Sequence, residues 1–277
     1  MMSTSTWLPA RRATQGSSKE GFVTAGGTVV RYIEMGAEHP GPPLVMLHGF
    51  RAAADYWFPY PLPALASEHR VIAPDLPGFG SSGPLAQYGM GAYAGAILAF
   101  MDALGVERAN LLGHSMGGQV AIATAARQPE RIERLVLVDS AGLPRLDPHW
   151  QVPLKMLTDA SLRHVRLYPM IMRLGVKATA GREGLYMVQR EHVSRILKSL
   201  TMPVLVVWGS RDRVVPLEHG ALLSRYIPHA RLAVIRGAGH MPFYQKPEEF
   251  NRIVLAFLRS HPSQVGAAKQ ADLEHDG

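Results

Sequence analysis

The feature that most constrains the fold is an alternation of short apolar runs with segments of helical periodicity. Seven runs have the length and the Val, Ile and Leu content of strands: Thr28–Met35, Leu44–Leu47, Arg70–Ala73, Asn110–Leu112, Leu135–Val138, Val204–Trp208 and Leu232–Ile235. Helical patterns lie between or after them, at Gly91–Leu104, Gln119–Arg127, Leu217–Tyr226 and Pro247–Leu258. Apolar strands that alternate with helices predict an α/β protein with a largely parallel sheet covered on both faces.

The alternation is interrupted once, between residues 142 and 200, where only helical patterns occur. We therefore predict a helical insertion, 142–200, in a core formed by 21–141 and 201–261, with flexible tails at 1–20 and 262–277. The insertion contains ten Lys/Arg and four Asp/Glu, so +6 of the net charge of +7 lies within it. This charge is either a solvated polar face or a surface that attracts acidic substrates and makes weak contact with anionic membranes.

The composition excludes several classes of protein. The chain has no cysteine, so disulfides and thiolate metal sites are ruled out. No apolar run reaches the roughly 18–20 residues that span a bilayer, and the N-terminus lacks the apolar stretch of a signal peptide. We therefore expect a cytoplasmic protein. The basic insertion lacks the patterns of nucleic-acid-binding proteins, so we expect no nucleic-acid partner.

Ser115 lies in the sequence GHSMG, between an apolar run and an alanine-rich helical pattern. A residue at so sharp a strand-to-helix turn adopts a strained backbone, and its neighbours must lack bulky side chains. Gly113 and Gly117 meet that requirement. The following helix N-terminus favours negative charge nearby. This context predicts that Ser115 is a nucleophile rather than an ordinary turn residue.

A serine hydroxyl needs a base, and His240 is the candidate that follows the last predicted strand, in RGAGHMPF. Histidine titrates near neutral pH and can move a proton in both directions. The imidazole in turn needs a carboxylate to orient it. Asp212, in WGSRDRVVP, and Asp139, in LVLVDSAG, both follow predicted strands. We favour Asp212, because its loop is long enough to bend inward, and leave Asp139 as the alternative.

Hydrolysis through a tetrahedral intermediate also needs two backbone N–H donors for the oxyanion. The N–H of Met116, directly after the nucleophile, and the N–H of Phe50, after the sequence HG, are the candidates. We expect the substrate pocket to be lined by side chains near these loops and in the insertion. The candidates for substrate binding are Phe50, Met116, Leu143, Tyr168 and Met241.

The remaining polar residues at predicted strand ends favour structural roles. His48 and His114 flank the catalytic loops and are predicted to be hydrogen-bonded scaffold residues, and Asp75 is predicted to brace the PGFG turn. No histidine has the spacing of a metal-binding motif, so we expect neither a metal nor a cofactor.

The chain resembles the α/β-hydrolase fold superfamily. The matching segments are HGF at 48–50, DLPGFG at 75–80, GHSMGG at 113–118, GSRDRVVP at 209–216 and GAGH at 237–240. The resemblance implies a mostly parallel eight-stranded sheet flanked by helices, with a helical cap inserted after strand 6. It also implies that Ser115, Asp212 and His240 are the triad and that Phe50 and Met116 form the oxyanion hole.

Departures from subfamily patterns narrow the activity. Haloalkane dehalogenases and epoxide hydrolases of this fold have Asp where this chain has Ser115, and the Gly-Gly-Ser-Trp-Gly elbow of proline iminopeptidases is absent. Hydrolases of carbon–carbon bonds in ring-cleavage products are similar but usually have Asn where this chain has His114. We therefore expect a serine carboxylesterase for a small ester with a short to medium acyl chain. The alternatives are carbon–carbon hydrolysis, lactone opening, perhydrolysis or a non-catalytic ligand receptor; the oligomeric state is left open.

Overall fold

The computed structural model describes residues 17–58, 60–144, 183–184, 186–187 and 190–260. Within them, eight strands form one sheet in the order β1-β2-β4-β3-β5-β6-β7-β8. Their bounds are Lys19–Ala25, Thr28–Met35, Leu44–Leu47, Val71–Pro74, Ala109–His114, Ile132–Val138, Val204–Gly209 and Ala230–Ile235 for β1 to β8. The pairs β1–β2 and β2–β4 are antiparallel and the other pairs are parallel. The prediction of a mostly parallel eight-stranded sheet is confirmed.

Helices cover both faces of the sheet. The described helices are α1 Pro61–Leu65, α2 Met90–Ala103, α3 Met116–Arg127, α4 Leu217–Tyr226, α5 Pro242–Gln245 and α6 Pro247–Arg259, with 3-10 turns at Ala54–Trp57, Pro129–Arg131 and Leu197–Ser199. One core layer contains buried side chains of α2, α3 and α4, and the other contains those of α1, α5 and α6. Among the described helices, none combines the length and apolarity needed to cross a membrane.

The edge strand β1 is the element that the sequence pattern did not predict. Its residues alternate between exposed and half-buried positions, and only its last residue, Ala25, is fully buried. It pairs with β2 through a turn at Gly26 and Gly27, both of which have positive φ. A strand at the edge of a sheet that is only partly buried has no continuous apolar run. The pattern used to predict the buried strands therefore does not detect it.

The predicted insertion lies mostly outside the described residues, which resume at 183 after residue 144. Its two described ends meet at the core. The N–H of Val193 donates to the carbonyl oxygen of Gly142 at 2.8 Å, and the side-chain amide of Gln119 in α3 donates to the carbonyl oxygen of Glu191. The Glu191 carboxylate also accepts the N–H of Met90 at 2.8 Å, at the start of α2. These bonds attach the end of the segment to α2 and α3.

Candidate active site

Ser115 occupies a strained turn between β5 and α3. Its φ of 53° and ψ of −117° are unusual for a residue with a side chain. A Cβ atom at Gly113 would lie 2.3 Å from the carbonyl oxygen of Gly117, and one at Gly117 would lie 2.2 Å from that of Leu47. The two glycines therefore permit the close approach of strand, turn and helix on which the position of Ser115 depends.

Ser115, His240 and Asp212 form a hydrogen-bonded chain. The Oγ atom of Ser115 lies 3.1 Å from Nε2 of His240, and Nδ1 of His240 lies 2.8 Å from Oδ2 of Asp212. The other Asp212 oxygen accepts the N–H groups of Val214 and Val215 at 2.7 and 2.9 Å. Both oxygens of this buried carboxylate are therefore engaged, which fixes the imidazole with Nε2 towards the serine.

Asp139, the alternative acid, lies at the end of β6 beside this chain of groups. Its Oδ1 accepts the N–H of Gly209 at 2.9 Å. One carboxylate oxygen of Asp139, one of Asp212 and one ring nitrogen of His240 lie within 4.8 Å of one another. Such a cluster has the composition of a metal site, but His240 is hydrogen-bonded to Asp212 and Ser115, and Asp212 also accepts two backbone N–H groups. We therefore interpret the cluster as the acidic end of a proton relay.

The loop after β3 packs directly against the nucleophile. A Cβ at Gly49 would lie 3.4 Å from the Cβ of Ser115, and Phe50 follows it in the chain. Met116, the first residue of α3, is fully buried. Gly184 adjoins both, because a Cβ at this position would lie 3.4 Å from Phe50 Cε2 and 3.6 Å from Met116 Sδ. The two predicted oxyanion residues and the end of the insertion thus share one wall of the site.

His48 and Asp75 make hydrogen bonds that support the loop after β3, as predicted for scaffold residues. This loop, residues 48–51, contains Phe50 and is called the oxyanion loop below for its predicted role. The N–H of Leu76 donates to Nε2 of His48 at 2.9 Å, so the His48 Nδ1–H donates to the carbonyl oxygen of Gly49 at 2.8 Å. Burial lowers the pKa of His48, against the opposing effect of the Asp75 charge. The Asp75 carboxylate accepts N–H groups from Ala54 at 2.6 Å and from Ser81 at 2.8 Å, which joins the loop to the PGFG turn.

Arg31 completes this support and was not identified from the sequence. It lies in β2 with a side chain only 11% exposed and forms ion pairs with Glu20, Asp55 and Asp75. Asp55 follows the oxyanion loop by a few residues, so the guanidinium connects the sheet to that loop. An arginine inside an apolar run was the available signal, because a buried charge requires partners.

The His114 ring packs against that of His240, with the two ring centroids 4.8 Å apart. Its Nε2 lies 2.7 Å from the carbonyl oxygen of His240, which can only accept, so Nε2 holds the proton. Its Nδ1 accepts the hydroxyl of Tyr56 at 3.0 Å. Burial, with a contribution from His240, holds the pKa of His114 well below its usual value. The ring is thus a neutral support for His240, as predicted for a scaffold residue.

Three further residues were predicted to contact substrate. Leu143 is buried in the core layer that contains Met116, and Met241 is buried in the layer on the other face of the sheet. Tyr168 lies outside the described residues. Their role in substrate binding stays a prediction.

The sequence profile of the α/β hydrolase fold family matches residues 42–162 and 168–247 of this chain. The chain belongs to the α/β hydrolase fold family. The resemblance inferred from the motifs is therefore confirmed, and the strand-end loops described above are those of an α/β hydrolase.

Two curated relatives align with most of this α/β hydrolase. The dihydrolipoyllysine-residue acetyltransferase component of the acetoin cleaving system of Pseudomonas putida is 34% identical over 261 residues, which are 85% of this chain and 68% of that protein. The 2-hydroxy-6-oxo-6-phenylhexa-2,4-dienoate hydrolase of Comamonas testosteroni is 31% identical over 265 residues, which are 83% of this chain and 91% of that protein.

Among solved structures, the meta-cleavage product hydrolase from Pseudomonas fluorescens is similar to this chain. The TM-score is 0.75 and the sequence identity 26%, with 86% of this chain and 97% of that one covered. The named relatives are thus mainly hydrolases of carbon–carbon bonds in dienoates, and not the carboxylesterases that the sequence analysis favoured.

Proposed function

We propose that this α/β hydrolase cleaves a carbon–carbon bond in a 2-hydroxy-6-oxo-dienoate, with Ser115 as nucleophile. The observation that carries the proposal is the Ser115–His240–Asp212 relay in a chain whose relatives include hydrolases of this class. One from Paraburkholderia phymatum, a 2-hydroxy-6-oxononadienedioate/2-hydroxy-6-oxononatrienedioate hydrolase, is 32% identical over 87% of this chain and 96% of its own length. The alternative activity considered in the sequence analysis is therefore better supported than ester hydrolysis.

The first bond to form is between Ser115 Oγ and the C6 ketone carbon of the substrate. His240, 3.1 Å from Oγ, accepts the serine proton, and Asp212 balances the resulting imidazolium. The N–H groups of Phe50 and Met116 are the proposed donors to the oxyanion. Each such donor contributes about 3–4 kcal/mol of transition-state stabilisation.

The carbon–carbon bond breaks only if the leaving carbon is stabilised. The proton of the substrate 2-hydroxyl must therefore move to C5, which turns C2 into a ketone conjugated with the breaking bond. The C5–C6 bond then breaks, its electron pair passes into the conjugated dienolate, and the C2 oxygen of this leaving group takes the proton held by His240. Water then attacks the remaining acyl ester of Ser115 and gives a proton to His240. The Oγ–acyl bond breaks, His240 returns that proton to Ser115 Oγ, and the second carboxylic acid is released.

A dienoate also needs a cation for its carboxylate. Arg51 follows Phe50 in the oxyanion loop, is exposed and has a φ of 60°. It forms no ion pair with any residue that the structure describes. We propose Arg51 as the first candidate partner of the substrate carboxylate, because an exposed guanidinium in the oxyanion loop is suited to bind one.

Ester hydrolysis is the second candidate, favoured by one observation. His114 takes the place of the Asn usual in the carbon–carbon hydrolases, and both of its ring nitrogens are engaged, by the Tyr56 hydroxyl and the His240 backbone. A short ester needs neither the proton transfer to carbon nor an anchored carboxylate, so the same relay suffices for it.

The deciding experiment compares kcat/KM for 2-hydroxy-6-oxo-6-phenylhexa-2,4-dienoate with kcat/KM for p-nitrophenyl butyrate in one preparation. We expect the dienoate to be the better substrate and Ser115→Ala to abolish turnover of both. Preference for the ester by an order of magnitude or more would replace the proposal with a carboxylesterase. Turnover that survives in Ser115→Ala would contradict both candidates.

A further inference from the structure

Asp139 has an unusual position for a residue with only a packing role. It is the first residue after β6, is fully buried and has a φ of 42°. Its N–H donates to the carbonyl oxygen of Val207 in β7 at 3.0 Å. The preceding residue, Val138, accepts the N–H of Ser115 at 3.0 Å. The end of β6 is thus bonded on one side to the nucleophile and on the other to the strand that leads to Asp212.

The side chain of Asp139 fixes the start of the loop that contains Asp212. Its Oδ1 accepts the Gly209 N–H at 2.9 Å, and the carbonyl oxygen of Gly209 accepts the Asp212 N–H at 3.2 Å. A Cβ at Gly209 would lie 2.1 Å from the carbonyl oxygen of Gly239, next to His240. Asp139 therefore contacts the point where the acid loop and the histidine loop meet.

A hydrogen-bond acceptor alone does not require a carboxylate here. The side chain of Asn would accept the same N–H and tolerates positive φ equally well, without the cost of burying a charge. What Asp adds is negative charge, within 4.8 Å of the His240 ring. A carboxylate within about 4–6 Å favours the protonated imidazole.

Two other titratable groups face His240, and only one of them, Asp212, is an anion. Asp212, from the loop after β7, makes the direct hydrogen bond to Nδ1. His114, at the end of β5, has its ring centroid 4.8 Å from that of His240 and is held neutral by burial. Asp139, from the end of β6, is the second anion of the described cluster.

We propose that Asp139 is a positioning residue of the relay: it holds the Asp212 loop through Gly209, and its charge stabilises the imidazolium of His240. The proposal rests on the serine–histidine chemistry proposed above. It assigns to the end of β6 a role in proton transfer, in addition to the direct role of Asp212.

The test uses covalent labelling of Ser115 by a fluorophosphonate, which does not depend on the natural substrate. In the labelling step the Oγ–P bond forms, the P–F bond breaks, fluoride leaves and the serine proton passes to His240. Labelling rates of the full chain are measured from pH 5 to pH 9 for wild type, Asp139→Asn and Asp139→Ala, with Ser115→Ala as the blank. Thermal unfolding of each variant reports whether it is folded.

In Asp139→Asn we expect the acidic limb of the labelling profile to move to lower pH, because one anion within 4.8 Å of the His240 ring is lost. The plateau rate should fall several-fold, since a less basic imidazole is a weaker general base. Asp139→Ala should lose the Gly209 bond as well and unfold at a lower temperature. In an Asp212→Asn background, adding Asp139→Asn should lower the rate at least a further tenfold.

A profile of folded Asp139→Asn that superimposes on wild type would overturn the proposal and leave Asp139 a structural acceptor. If Asp139→Asn is not recovered folded, Asp139→Ser, which retains an oxygen without the charge, is measured in its place with the same criterion. Failure of the proposed function has a different signature, which appears in the wild type: it would prefer p-nitrophenyl butyrate or turn over neither substrate, whatever the labelling profile of Asp139→Asn.

Discussion

A methyl group added at Gly117 should separate the nucleophile from the oxyanion loop. The Cβ of Gly117→Ala would lie 2.2 Å from the carbonyl oxygen of Leu47 and 2.6 Å from that of His48. Both are backbone atoms at the end of β3, where the chain enters the Gly49–Phe50 turn. No rotamer change relieves the overlap, so α3 or the loop must move.

The size of that movement follows from the geometry. Real Cβ contacts essentially never fall below 3.0 Å, so the Leu47 oxygen and the new methyl must separate by about 0.8 Å at least. A misplacement near 1 Å costs on the order of 10²-fold in rate. Loss of one oxyanion donor costs about 10²–10³-fold. We therefore expect kcat of Gly117→Ala to fall about 10²-fold or more, and the free energy of unfolding to fall by about 1–3 kcal/mol from overpacking.

The assay measures kcat on the better of the two substrates, together with urea unfolding. Gly91→Ala is the matched control, since Gly91 lies in α2 and a Cβ there meets nothing within 4 Å. That control should keep full activity and gain about 0.5–1 kcal/mol of stability, as alanine is favoured over glycine in helices. A Gly117→Ala enzyme with wild-type kcat would show that Phe50 and Met116 do not need the close approach of loop and helix.

Three further predictions concern charge and space around the site. The folded-state pKa of His114 lies below the ordinary value of 6.5, so the unfolded chain binds the proton first, and stability present above pH 6.5 should be lost as the pH falls. Urea unfolding at pH 7.5 and 5.5 should show that this group lowers the free energy of unfolding by up to about 1.4 kcal/mol per pH unit. The loss should be smaller in His114→Gln; an equal pH dependence in the two proteins would refute the assignment to His114. Arg51→Gln should lower kcat/KM for the dienoate on the order of tenfold while leaving p-nitrophenyl butyrate unchanged, since a charge-assisted hydrogen bond contributes about 1.5–3 kcal/mol; equal losses would remove Arg51 as the carboxylate partner. We expect the substrate phenyl group to bind beside Phe50, where a Cβ added at Gly184 would already lie 3.4 Å from the Phe50 ring. Gly184→Val should therefore lower kcat/KM for the phenyl-substituted dienoate on the order of tenfold; an unchanged value would show that the phenyl group binds elsewhere.

The sequence predicted the elements whose pattern is local. The buried strands have apolar runs, and the turn at Ser115 is marked by Gly113 and Gly117, where an added Cβ would lie only 2.3 and 2.2 Å from backbone oxygens. The loops of Asp212 and His240 were located because polar residues followed apolar strands. Each of these signals lies within a few residues of the feature that it predicts.

What the sequence did not predict depends on residues that are distant in the chain. The Arg31 cluster brings together β1, β2 and the loops of Asp55 and Asp75. The choice between Asp139 and Asp212 was open because both follow adjacent parallel strands, and it depends on how far one loop bends. The protonated nitrogen of His114 depends on the His240 carbonyl group, 126 positions away.

The serine, histidine and aspartate motifs also did not predict the reaction class, and the reason is chemical. In the proposed mechanism, ester and carbon–carbon hydrolysis begin with the same attack by Ser115 and pass through the same kind of acyl-enzyme, so the relay does not distinguish them. They differ in the leaving group, which is an oxygen in one case and a carbon that must first be protonated in the other. The groups that hold the far end of the substrate decide whether that protonation occurs. Selectivity should therefore respond to changes at Arg51 and Gly184, outside the relay, while changes at Asp139 should slow both reactions equally.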